Sequence, residues 1–420
     1  IGFHVANRLL DRGEHVIGYG GLGAVEIAGS TVNDLYGDFR APFELGSGGG
    51  SDSGPGGTGG GRFRLQTGSL DLDGQITANG AAGSYYGGGG SGGAVHIVTG
   101  LLNGEGTIQA LGGPGGTQSG GGGGGRVALI FSEGSGTVED NISATGGAGS
   151  GTGGAGTIYR KAGNAEGSLT IRGAGRETPL PEARVSEDVL IDAATVSVLD
   201  FGARNLSLVN GAVLTHPAAT TTTEPRLTLT VTNLTIDAAS RIDVSARGYR
   251  GGGTSENPSQ IGQTVGNTDG STRRNGGSYG GLGGFGTAGG VIAPVYGSAD
   301  DPNELGSGGG SDSGRAGHGG GLARIFAGRV VLQGSILANG EGGSFYGGGG
   351  SGGGIRIDAQ EISGSGTIEA NGGVGGNQAG GGGGGRIRVA SGNQTGFNPA
   401  NVKAEGGTGR SNGEAGSILF

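Results

Sequence analysis

Aspartates set among glycines are the first residues in this chain with chemistry to offer. The string GGGSDSG carries Asp52 and returns with Asp312. A carboxylate held by such a turn ligates a hard cation only when several oxygens converge on it. Each Asp comes once per long period with no tandem carboxylates beside it, so a solvated Asx or Ser turn is the expected role. Five histidines, His4, His15, His96, His216 and His318, are the other candidate ligands or bases. Where the chain repeats itself, His96 falls opposite Arg356 and His318 opposite Thr58, so neither recurs as a ligand would. G-x-G-x-x-G matches arise by chance among 113 glycines in 420 residues, and none is followed by Gly-Lys-Ser/Thr. Acids and bases do not cluster in the sequence as polysaccharide cleavage requires. The reading is not of an enzyme, and no catalytic, cofactor or metal residue is assigned.

Composition narrows the partners. A net charge of −9 gives no electrostatic basis for binding nucleic acid or anionic lipid. No apolar run approaches the roughly 18 residues of a membrane span, so no membrane insertion is expected. The chain has no cysteine, hence no disulfide and no thiolate metal site. Glycine far exceeds its usual share of about 7%, which calls for disorder or for a fibrous, backbone-packed architecture. Strict G-X-Y periodicity is absent and prolines number only 11, so collagen is excluded. The opening on Ile1 and the ending at Phe420 inside a strand pattern suggest a piece of a longer polypeptide.

The elements that position these residues come from repetition. YGGLG begins at Tyr19 and Tyr279, ELGSGGGSDSG at Glu44 and Glu304, and a glycine run ends at Arg126 and Arg386, each pair 260 apart (279 − 19, 304 − 44, 386 − 126). Residues 1–160 lie over 261–420 without a gap, about half of them identical. Inside this long period sits a shorter one. Alternating strands are predicted to open at Arg62, Ala94, Arg126 and Thr157, and again at Leu322, Gly354, Arg386 and Ser417. Val95 with Ile97, and Ile387 with Val389, should face inward. A second short strand centred on Ile108 or Ile336 follows a turn, and a glycine tract then returns the chain to the next unit. Residues 176–248 alternate apolar and polar residues with few glycines, as stacked rungs do. The expected divisions are a partial repeat copy at 1–160, of which 1–18 diverge, solenoid rungs at 161–250, and a second copy at 251–420.

A dozen glycines lose about 12–24 kcal/mol of conformational freedom on ordering, with no side chain to bury. One tract alone stays disordered. Side by side, however, three-residue-per-turn glycine helices approach closely enough to exchange backbone hydrogen bonds of about 1 kcal/mol net each. Near-equal tract lengths and flanking strands supply the register for such a bundle. Tyr85 and Tyr86, and Phe345 and Tyr346, then read as flat side chains covering the edge of a glycine layer. Arg126 and Arg386 sit where guanidiniums would cap glycine carbonyls.

GGGGSGG and GGGGGGR tracts joined to strands resemble the polyglycine II bundles of glycine-rich antifreeze proteins and phage tail-fibre tip adhesins. With the pattern from Asn210 to Gly252 they also resemble glycine-rich repeats of very large secreted or surface-attached microbial proteins. Ile1–Tyr19 is superficially similar to the N-terminal segment of sugar-nucleotide epimerases, without the first strand and glycine turn and with Gly20 at the acidic position. The expected fold is all-β, with parallel β-helix-like solenoid layers combined with polyglycine II bundles. The resemblance implies an extracellular or cell-surface location and a structural role in a fibre, sheath or stalk; an adhesin or ice-binding module is the alternative. Expected partners are further copies, head to tail, and cell-surface polysaccharide. Asn141, Asn205, Asn233 and Asn393 stand in glycosylation sequons, relevant only where the source glycosylates.

Overall fold

The computed structural model describes residues 19–24, 35–180, 183–184, 186–287 and 289–420. The chain divides into two compact units, Ile1–Pro179 with Asp192–Thr195, and Leu180–Ile191 with Val196–Phe420.

In the first unit four long strands, β1 (Arg62–Asp71), β2 (Ala94–Asn103), β3 (Arg126–Gly134) and β4 (Thr157–Ala162), lie parallel and in register. Arg62, Ala94, Arg126 and Thr157 face one another across successive strands. The sequence repeat is thus one turn of a coil. Parallel neighbours cannot be joined by a tight turn, so the chain travels around a full circuit between them. The result is a parallel β-solenoid. Gln75–Thr77, Thr107–Gln109 and Ile142–Ser143 make a second parallel sheet. Val95, Ile97, Ile108, Val127 and Leu129 pack between the two sheets and are fully buried. One step breaks the parallel order: β5 (Ser168–Arg172) runs antiparallel to β4. Only Gly163–Gly167 separates them, too short for a crossover, and Gly163 turns with φ 53°.

The second unit continues the same logic. Strands β6 (Asp200–Val209), β7 (Leu227–Ile236), β8 (Leu322–Leu332), β9 (Gly354–Ser363), β10 (Arg386–Thr395) and β11 (Ser417–Leu419) stack in parallel. All eight strand openings expected from the sequence fall at the first residue of a strand. Between Asp243 and Leu322 the chain leaves the sheets and builds outer glycine-rich segments before re-entering beside β7.

In the glycine-rich turns an arm runs out, reverses at a tip and comes back, as Gly80–Gly93 and Gly340–Gly353 do. In the returning tract of the second unit, Gly348 and Ser351 donate to Gly310 and Ser307. Gly349 and Gly352 donate to Gly380 and Gly383, and Gly350 and Gly353 to Glu341 and Ala338, all at 2.7–3.0 Å. The first unit repeats the pattern at Gly88–Gly93, whose donors turn in the same order to Gly50 and Ser47, Gly120 and Gly123, and Ala81 and Ala78. Successive N–H groups therefore point to three different neighbours and return every third residue. A β-strand alternates between two directions; these tracts do not.

The approach leaves no room for a side chain. A methyl group on Gly122 would lie 2.1 Å from the Gly90 carbonyl oxygen, whereas one on Gly68 in β1 would meet nothing within 4 Å. Gly122→Ala should cost about 3 kcal/mol or more and Gly68→Ala no more than about 0.5 kcal/mol. Thermal or denaturant unfolding of the two variants checks this, and equal stability of the pair would contradict it.

Candidate functional site

The two arginines singled out by the repeat are the centres of matching polar hubs. Arg126 opens β3 and is almost wholly buried; its Nε donates to the Tyr36 carbonyl at 3.2 Å, Nη2 to the Tyr19 carbonyl at 3.5 Å and Nη1 to Thr157 Oγ1 at 3.2 Å. Its guanidinium also lies 5.4 Å from the centre of the Tyr19 ring. Arg386 opens β10, donating to the Tyr296 carbonyl at 2.9 Å and to Ser417 Oγ at 3.1 Å, with its guanidinium 5.5 Å from the Tyr279 ring centre. The side-chain carbonyl contacts of both arginines thus go to tyrosines and not to the glycines the sequence suggested. The Gly88, Gly90, Gly348 and Gly350 carbonyls already accept glycine N–H groups along the tracts.

Each hub holds a tyrosine pair and a glutamate. Tyr19 packs on Tyr36, and Tyr279 on Tyr296, with ring centres 4.9 Å apart in both cases. Tyr19 donates to Glu44 Oε2 at 3.2 Å and Tyr279 to Glu304 Oε2 at 3.3 Å. Burial pushes the Tyr19, Tyr279 and Tyr296 phenols well above their ordinary range, so they stay neutral donors. Sequence reasoning used Tyr19, Tyr279, Glu44 and Glu304 only as markers of the repeat and passed over Tyr36 and Tyr296; their shared offset of 260 (296 − 36) was the available signal.

The aromatic pairs sit at arm tips. Tyr85 and Phe345 are 72% and 71% exposed and occupy the left-handed region at φ 53° and 50°. Tyr86 and Tyr346 are half-buried, and the Tyr85 and Tyr86 rings meet edge to face at 5.8 Å. Asp52 and Asp312 stand in the adjoining serine turns, closed by Ser51 Oγ donating to the Gly54 carbonyl and Ser311 Oγ to the Gly314 carbonyl at 2.8 Å. Asp52 points to solvent; Asp312 pairs with Arg274 Nε at 3.2 Å. Arg274 also lies 3.9 Å over the Tyr346 ring and donates to Gln378 Oε1 at 3.0 Å, so it clamps three tips that the sequence did not connect. Among the described residues, no group of three or more His, Cys, Asp or Glu gathers as a metal set.

An outward-facing ladder in the second unit was likewise missed. Arg324, Arg356 and Arg388 face one another on β8, β9 and β10. Asp301 bridges the first two and Asp358 the last two. In the first unit Arg64, His96 and Ala128 hold these positions, which hid the stack from a comparison of copies. The similarity of Ile1–Tyr19 to a nucleotide-binding segment lies, but for Tyr19, outside the described residues. No protein-family model, curated protein or solved structure matches this chain.

Histidines are placed for neutrality. His216 is fully buried, its Nδ1–H donating to the Pro217 carbonyl at 2.7 Å while Nε2 accepts the Leu322 N–H at 3.2 Å. That pairing fixes the tautomer, and burial holds the pKa down at about 4. Burial also lowers His96, helped by Arg64, and His318, helped by Arg250. A histidine depressed on folding leaves the unfolded chain as the better proton acceptor, so its stability is complete above the unfolded pKa of about 6.5 and is lost as pH falls toward the folded value. His216 alone should remove about 3 kcal/mol between pH 6.5 and 4. Denaturant unfolding across that range measures the slope, and His216→Gln should be weaker at pH 7 but flatter toward acid.

Proposed function

We propose that this chain is a structural segment of an extracellular fibre, sheath or stalk, in which the glycine tracts are polyglycine II helices and growth proceeds head to tail. The observation that carries the reading is the return of the donors of Gly88–Gly93 and Gly348–Gly353 to the same neighbour every third residue. That is the repeat of a polyproline II-type helix, and hydrogen bonding outward in three directions makes each helix one member of a lattice. The task of such a lattice is mechanical. Its cohesion comes from main-chain groups, so it offers proteases neither flexible loops nor extended single strands over the tracts. The extracellular assignment rests on the resemblance to secreted glycine-rich repeats. The test is hydrogen exchange on residues 112–125 with light scattering on the same samples. Exchange slowed at least about 100-fold relative to a random coil supports the helices, and random-coil rates sink them. Scattering that grows with concentration supports assembly, and a monomer at all concentrations removes head-to-tail growth.

Adhesion to cell-surface polysaccharide is a second reading, favoured by the exposed aromatics Tyr85 and Phe345 at the arm tips. Aromatic faces stack on the apolar faces of sugar rings. Glycan capture by the intact chain should fall at least about tenfold in Tyr85→Ala with Phe345→Ala, the loss of roughly 1.4 kcal/mol of stacking; unchanged capture removes the reading. Ice binding finds less support. Thr228 on β7 lies between Asp200 and Arg324, Thr230 faces Gly202 and Phe326, and Thr220–Thr223 close on one another as a turn.

A further inference from the structure

ELGSGGGSDSG occurs twice, at Glu44–Gly54 and Glu304–Gly314, so any difference in burial between the copies comes from their surroundings. The difference is large. Leu305 is 0% exposed and Leu45 63%. Every residue of 305–311 and of 316–323 is buried, whereas in 45–51 and 56–63 only Gly57 and Gly60 are.

Two segments of the same unit cover the second copy. Residues 260–275 hold Ser307–Ser311, with Gly308, Gly310 and Ser311 N–H donating to the Gln263, Asn275 and Gln260 carbonyls at 2.9–3.0 Å. A block at 215–253 covers Leu305, Gly306, Gly309 and 316–323. Leu305 packs with Ala219, Tyr249 and Leu322. Tyr249 N–H donates to the Gly306 carbonyl at 2.9 Å and Gly252 N–H to Gly309 at 3.0 Å. In return Gly319 N–H reaches the Tyr249 carbonyl at 2.9 Å and Gly321 N–H the Val244 carbonyl at 2.7 Å. The block's strand β7 pairs along β8, and His318 Nδ1 accepts the Gly251 N–H at 3.0 Å. In the first copy β1 is the last strand of its sheet, and among the described residues the Gly59 and Gly61 N–H groups and the Gly46 and Gly49 carbonyls have no partner. Phe63 and Leu65 of β1 are only partly buried.

We propose that the open face formed by Gly46–Gly61 and β1 is a docking face for a second solenoid block of the 215–253 type. The occupant is a rung carrying a β7-like strand followed by a glycine segment with a tyrosine at the 249 position. The block within the molecule is already seated on β8, so another copy of this chain has none to lend. At the contact Thr58 stands in place of His318, Phe63 in place of Ala323 and Arg62 in place of Leu322; the last brings a charge. Its guanidinium now lies 4.0 Å over the Phe43 ring and would meet the incoming tyrosine as a cation–π partner. The inference stands on one sequence in two environments and not on the fibre reading.

Fusing residues 161–260 ahead of Ile1 supplies the block in the frame in which it precedes Ile261. Amide exchange is then followed at Gly59 and Gly61 against Gly319 and Gly321. In the unfused chain the first pair should exchange at least about 100-fold faster; in the fusion the two pairs should agree within about tenfold. Leu45→Asp in the fusion should restore fast exchange at Gly59 and Gly61 and leave Gly319 and Gly321 unchanged. Fast exchange in the fusion overturns the proposal, whether the added block folds elsewhere or not at all, because the proposal requires β1 to template it as β8 does. Protection that grows with concentration in the unfused chain also overturns it, since the occupant is then a second molecule.

Discussion

A backbone carbonyl from one glycine tract lies where the Cβ of the next would be, and everything else in this protein follows from that approach. The hydrogen bonds it permits are ordinary in length, 2.7–3.1 Å along Gly88–Gly93. Their directions are what is unusual, because the donors of successive residues radiate from the tract to three different neighbours. At about 1 kcal/mol net per bond against about 1–2 kcal/mol to order each residue, a tract breaks even only when it is surrounded. A layer at the edge of the stack is therefore the weakest place, and a layer inside it is held from several sides.

The solenoid supplies what the glycine lattice lacks. Glycine tracts carry no side chains to choose a register, so nothing in a tract itself opposes a slip by three residues. The strands do. Their inward residues, Val95, Ile97, Val127 and Leu129 in the first unit, are fully buried, and a one-residue slip would turn them outward. Each strand thus fixes the starting phase of the tract that precedes it. Arg126 and Arg386 sit at that junction and tie the first residue of a strand to a tyrosine pair beside the glycine layer. The hubs read best as registration points, with side-chain contacts that a lattice of identical main-chain bonds cannot provide.

Strand openings and inward residues were legible in the sequence because they obey short-range rules, a two-residue alternation and a spacing of about 32. The tract lengths were legible for the same reason. The partners of charged groups were not. Arg274 reaches Asp312 across 38 positions and Gln378 across 104, distances that only the stacking of layers brings together. Burial of the arm layers was illegible in a stronger sense, since the same eleven residues from Glu44 and from Glu304 meet solvent in one place and a solenoid block in the other. Local sequence specifies a layer's shape and leaves its neighbour to the stacking order.

Comparison of the copies then separates what the fold demands from what it tolerates. Inward positions keep their character, Val95 with Ile355, Ile97 with Ile357 and Ile108 with Ile368, and the tracts Gly87–Gly93 and Gly120–Gly125 recur unchanged. Outward positions do not: His96 becomes Arg356, Val98 becomes Asp358 and Ala128 becomes Arg388, which together create the arginine–aspartate ladder of the second unit. The ladder's arginines are half-buried, and the strands that they cross are already joined by in-register backbone pairing that the first unit keeps without a ladder. The outer face of the solenoid is free to change its chemistry from one copy to the next while the glycine arms are not. Any selectivity for a ligand or a neighbouring layer must therefore be written on that face and at the arm tips, where Tyr85 and Phe345 already differ by one hydroxyl.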